Sequence, residues 1–118
     1  MCSKEDVVRM HHILDAAKEA VSFAQNKTRR SLDKNRMLVL SLVKDVEIIG
    51  EAATNVSNEC REKYPQIPWR SLIGMRNRLI HAYFDINLDV VWQTVTEDLP
   101  TLIAVLEKIP SLKKDTGS

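Results

Sequence analysis

The stretch MRNRLIHAY, residues 75–83, gathers Arg76, Asn77, His81 and Tyr83 in a segment whose apolar residues keep helical spacing. These side chains suit anion and proton chemistry. A guanidinium keeps its proton and grips an anion through fixed donors. An imidazole, with an ordinary pKa of about 6.5, gives or takes a proton near neutral pH. Asn77, about one turn before His81, could hold the imidazole or an anionic oxygen.

On a helical wheel the apolar residues from Leu72 to Phe84 fill an arc of about 200°, and Arg76 falls inside it. That position predicts a buried guanidinium with an anionic partner, and Glu51 on the preceding long helix is the expected internal one. Arg70, Gly74, Asn77 and His81 form a polar strip flanked by Arg78. A glycine inside a helix costs about 1 kcal/mol relative to alanine, so Gly74 points to a close approach by another element. Between residues 61 and 83 there are five Lys or Arg against one Glu, although the whole chain carries only +1. This is a local anion site, with Arg70 and Arg78 as candidate contacts. It is not the surface of a generic polyanion binder. Taken singly, each residue has a plainer reading: a surface histidine, a solvated arginine face, and Tyr83 and Met75 as core. Arg76 resists that reading, because it breaks the pattern of its own helix.

Positioning these residues falls to helices, since no segment alternates like a strand. Val7, Met10, Leu14, Ala17, Val21 and Ala24 align one face of a first helix. NKTRRSLDKN interrupts as a loop or short helical turn. A long second helix carries Leu42, Val46, Ile49, Ala53, Val56 and Cys60 up to the prolines of YPQIP. A third starts at Pro68 or Trp69 and runs through Ala82. Asn87 caps a fourth, and Asp98 with Pro100 marks a kink or a fresh start before Leu99, Leu102, Leu106 and Ile109. The expected fold is all-α, an antiparallel bundle of four to five helices over residues 1–110, with residues 111–118 as a disordered tail.

The 118 residues fit one domain, and 44% apolar with 28% charged residues is the composition of a soluble globular chain. Cys2 and Cys60 make no framework of the secreted type, and no apolar run reaches the roughly 18 residues of a membrane span, so a cytoplasmic protein is expected. Cys60 reads as a small core residue. His11 and His12 are adjacent and lack the i, i+4 spacing of a helical metal site; neither a metal nor a cofactor is expected.

Together, RNRLIHAY resembles the Arg-Asn-x-x-x-His-x-Tyr signature of the HEPN ribonuclease superfamily, in particular its HepT-like toxins. IIGEAA, YPQIPWRSLIGMRN and VVWQTVTEDLP are also similar to that family, so the likeness covers roughly residues 5–109. The resemblance implies an all-α homodimer and metal-independent cleavage of RNA with Arg76 and His81 catalytic. It also implies a minimal nucleotidyltransferase antitoxin that adds AMP to Tyr83. The chemistry is compatible with the residues: a 2′-hydroxyl nucleophile needs a base, an acid and charge stabilisation at phosphorus. One chain offers a single histidine here, and about 140° separates Arg76 from His81 on the wheel, which favours a cleft shared by two copies. A helical dimer of the same fold that binds RNA or protein without cutting is the alternative. A metal-carrying four-helix protein lacks the carboxylate and histidine spacings it would need.

Overall fold

A computed structural model describes residues 1–80 and 85–112. Four of its helices start where a short polar side chain takes over an orphan backbone donor. Ser3 caps α1 (Lys4–Ala24), Asn35 caps α3 (Arg36–Thr54), Ser57 caps α4 (Asn58–Lys63) and Asn87 caps α6 (Leu88–Gln93). Between α1 and α3, the polar segment holds one short turn, α2 (Ser31–Lys34), which buries Leu32. Asn26, at φ 61°, ends α1 in the left-handed conformation that asparagine tolerates. The fold is all-α, and α3 packs against α1 on one side and α5 (Trp69–Leu79) on the other. The described residues form a slab of 43 × 34 × 19 Å. No helix among them is long and apolar enough to cross a membrane.

The expected second helix divides in two. Leu42, Val46, Ile49, Ala53, Val56 and Cys60 are all buried as their spacing implies, yet α3 stops at Thr54. Arg61 accompanies the break: its Nη2 donates to the carbonyls of both Ala53 and Thr54 at 2.9 Å, satisfying the end of α3 from the last turn of α4. On α1 the buried face centres on Met10, Ile13, Leu14, Ala17 and Ala20, while Val7, Val21 and Ala24 are only partly covered. Two neighbours cause this shift, because α1 packs against both α3 and α7 (Leu99–Glu107).

The third helix is shorter than expected. It ends at Leu79 rather than Ala82, and Ile80 turns extended (φ −120°, ψ 119°) to form an antiparallel bridge with Ile86. The Leu79 carbonyl accepts from the Asn87 N–H at 2.7 Å, so a contact from beyond the helix replaces the next helical bond. At Pro100 the expected fresh start is found: α7 begins at Leu99, with the proline in its first turn. A π-turn over Thr94–Asp98 joins α6 to α7 with helical backbone throughout, and this widened turn admits a residue that has no N–H. A 3-10 turn, Pro110–Leu112, then buries Leu112 against the core, so the folded unit extends past residue 110. The rest of the expected tail lies outside the described residues.

Cys2 and Cys60 overturn the expectation of two separate thiols. They form a disulfide, with Cα atoms 4.5 Å apart. The cap at Ser3 directs the N-terminus back onto α4, where Cys60 is fully buried. Cysteine usage therefore gives no argument for a reducing compartment.

Asp6 holds the same corner. Its Oδ2 accepts from the Ser3 N–H at 3.0 Å and the Ser57 hydroxyl at 2.7 Å, and its Oδ1 accepts from the Ser57 N–H at 2.8 Å. Burial pushes the Asp6 carboxyl up, but these hydrogen bonds from Ser3 and Ser57 outweigh it and hold the group down at about 2. Because the folded value lies below the unfolded one, the stabilisation is complete above about pH 4 and is lost as pH falls through 2, amounting to about 2.5 kcal/mol. Urea unfolding at pH 7 is expected to find Asp6→Asn less stable by roughly that amount, and acidification to pH 2 should narrow the gap. An unchanged gap at both pH values would remove Asp6 from this role.

Candidate active site

The site is set by how closely α3 and α5 approach. A Cβ built on Gly50 would lie 3.3 Å from the Leu72 carbonyl oxygen, so the α5 backbone rests where residue 50 has no side chain. The close-approach glycine is thus Gly50. At Gly74 an added Cβ would meet only Arg78 Nη1 at 3.8 Å among the described residues, and none of these requires a glycine there. The two helices run antiparallel. One turn back along α3 from this contact is Glu47, and one turn forward along α5 is Arg76.

Arg76 Nε donates to Glu47 Oε2 at 2.7 Å. This corrects the expected pairing with Glu51, which lies one turn further along α3. Burial is corrected as well: the Arg76 side chain is 49% exposed and that of Glu47 33%. The wheel put Arg76 in an apolar arc because it allowed α5 a broad buried face. In the fold Leu72, Met75 and Leu79 are buried, Ile73 is 37% exposed, and the seam beside it opens into a hollow. That hollow, about 340 Å³, is lined by Lys44, Glu47, Gly50, Glu51, Arg76 and Asn77 among others. Among the described residues two cations and two carboxylates line it, so their formal charges cancel.

The candidate residues distribute as follows. Arg76, Asn77 and Glu51 come together at the hollow, and the Asn77 side chain makes no hydrogen bond among the described residues. Arg78 folds back on its own helix, donating to the Ser71 carbonyl and hydroxyl at 3.3 Å each. Arg70 is exposed on the first turn of α5. His81 and Tyr83 lie outside the described residues. The described helix α5 ends at Leu79. Lys44 and Glu47 were not singled out from the sequence. Their signal is the spacing 44, 47, 51, which puts all three on one face of α3, but that spacing cannot say which of the two glutamates meets Arg76. No group of three His, Cys, Asp or Glu among the described residues is arranged to hold a metal.

Comparison with known proteins gives the family of the chain. The family model described as "Ribonuclease HepT-like" matches residues 13–109. A protein of Methanocaldococcus jannaschii, named by assignment as an RNase, is 37% identical over 101 residues, covering 85% of this chain and 93% of its own. Another with an RNase name, from Caldanaerobacter subterraneus subsp. tengcongensis, is 32% identical over 105 residues, 89% of this chain and 94% of its own. A protein of Thermococcus cleftensis named by assignment as the ribonuclease HepT is 45% identical over 69 residues, 58% of this chain and 63% of its own. No solved structure matches significantly. The chain belongs to the HepT-like ribonuclease family.

Proposed function

We propose that this chain is a metal-independent endoribonuclease toxin of a toxin-antitoxin pair, acting on RNA in the cytoplasm as a homodimer. The observation that carries the reading is Arg76, held by Glu47 at the mouth of a hollow with Asn77 beside it, in a chain of a ribonuclease family. In this mechanism an RNA phosphate sits against Arg76, and His81 moves a proton to or from the reacting oxygens. The 2′-hydroxyl oxygen bonds to phosphorus, the 5′-oxygen leaves, and a 2′,3′-cyclic phosphate remains. Arg70 and Arg78 contact flanking phosphates.

Two features favour a dimer. A hollow whose charges cancel is a poor phosphate site by itself, so a second Arg76 across a two-fold axis supplies the missing positive charge. Gly74 is half-buried with no tight neighbour among the described residues, which favours a facing helix there.

Incubating the purified protein with RNA in EDTA should give fragments with 2′,3′-cyclic phosphate ends, and His81→Ala and Arg76→Ala should each abolish them. Equal rates for parent and variants end the catalytic assignment, and intact RNA with retained binding selects the non-cutting dimer. The Arg76–Glu47 pair is half exposed, so its coupling in a double-mutant stability cycle with Glu47→Gln should be about 0–1 kcal/mol. A cycle with Glu51→Gln should give none.

Regulation follows at Tyr83. The phenolic oxygen attacks the α-phosphorus of ATP, pyrophosphate leaves, and AMP stays on a tyrosine seven residues past Arg76. The added anion occupies the phosphate position and blocks RNA by charge and volume. With a cognate minimal nucleotidyltransferase and ATP, the parent should lose activity and carry AMP on a Tyr83 peptide, whereas Tyr83→Phe should keep the fold and escape silencing. A label elsewhere, or equal silencing of the Phe variant, overturns this regulation.

A further inference from the structure

The charges that line the Arg76 hollow cancel as a set, yet they are not evenly spread along it. An added Cβ on Gly50 would lie close to the carbonyls of Leu72 and Ile73, and Glu47 meets Arg76, so each turn back along α3 is a turn forward along α5. Lys44 is therefore level with Leu79, and Glu51 with Leu72. From Leu79 the chain reaches His81 within two residues. The seam thus runs from the Glu51 carboxylate, through the Arg76–Glu47 pair, to an ammonium at the end from which His81 follows. Lys44 is exposed there and takes part in no salt bridge among the described residues.

The way the central pair is made is informative too. A guanidinium presents five N–H donors in a rigid fork, and a carboxylate that grips it side-on uses two of its nitrogens. Glu47 takes Nε alone, with one oxygen at 2.7 Å, and neither Nη1 nor Nη2 has a hydrogen-bond partner among the described residues. The edge between the two Nη atoms matches two oxygens of a phosphate. A carboxylate beside that edge repels an incoming phosphate, so what Glu47 supplies is direction. The charge it cancels is restored one turn away by Lys44.

We propose that Arg76 and Lys44 form one cradle for an RNA phosphate and that Glu47 is its positioning residue, holding Nε so that both Nη atoms meet the phosphate oxygens. This rests on the ribonuclease reading and adds two residues to that site. Lysine cannot replace arginine at position 76, because a single ammonium has no second edge to offer once Glu47 is satisfied.

Cleavage of a single-stranded RNA oligonucleotide in EDTA, with binding of its 2′-O-methyl analogue, which has no nucleophile, tests the cradle. Glu47→Ala and Glu47→Gln both remove the charge, but only glutamine keeps an acceptor for Nε. The alanine variant should lose about tenfold or more in kcat and the glutamine variant clearly less, a split that a merely structural role would not give. Both should melt within about 4 °C of the parent, since the pair is half exposed. Lys44→Gln should raise KM and lower the salt slope of analogue binding by about 0.7, the share of one single-strand phosphate contact, and Lys44→Arg should restore both. Arg76→Ala separates this inference from the reading beneath it. Intact RNA with the parent, or parent-like cleavage by Arg76→Ala, overturns the ribonuclease reading and the cradle together. With Arg76→Ala inactive, equal kcat losses in the two Glu47 variants, parent-like kcat in Glu47→Ala, or an unchanged salt slope in Lys44→Gln overturns the cradle alone.

Discussion

A backbone carbonyl in the place of a side chain governs this molecule. Because residue 50 has no Cβ, Leu72 O can approach α3, and everything further along the α3–α5 seam follows from that register. It puts Glu47 opposite Arg76 and leaves Lys44, Glu51 and Asn77 around the same hollow. Any larger residue at position 50 would meet backbone, which yields far less readily than a flexible side chain. The geometry of Arg76 is therefore decided by a residue that has no chemistry of its own.

What local sequence could specify was legible. Apolar spacing found the helices and the buried stripe through Leu42, Val46, Ile49 and Ala53, and short polar residues marked true caps, as at Asn87. The same reasoning failed where a distant group ends or reorients an element. Arg61 closes α3 from the next helix, and the Ile80–Ile86 bridge closes α5 from beyond the motif. Neither partner has a fixed offset that periodicity could detect. The family motif pointed to Arg76 and Asn77 as neighbours, and the structure brings both to one hollow. The choice of Glu47 over Glu51 depended on helix register, which a wheel drawn for a single helix cannot contain.

The two seams of α3 treat acids in opposite ways. Toward α5, Glu47 meets a guanidinium and the charges in the hollow cancel. Toward α1, Asp45 and Glu19 face one another without a cation, and the buried member is pushed toward its neutral form. One helix thus carries a compensated and an uncompensated carboxylate within a turn of each other. A stability optimum would replace Asp45 with an apolar residue of similar size, and its presence is a local conflict of the kind that accompanies function.

The corner formed by Cys2, Ser3, Asp6, Ser57 and Cys60 has a consequence for synthesis of the chain. The partners of Asp6 and Cys2 lie 51 and 58 residues downstream. The first helix therefore emerges with its buried carboxylate and its first cysteine unsatisfied, and it waits through several seconds of elongation for α4. The residues that close that corner are made before the segment bearing Arg76. The core waits longer still, since α7, which packs on α1, is made after that segment.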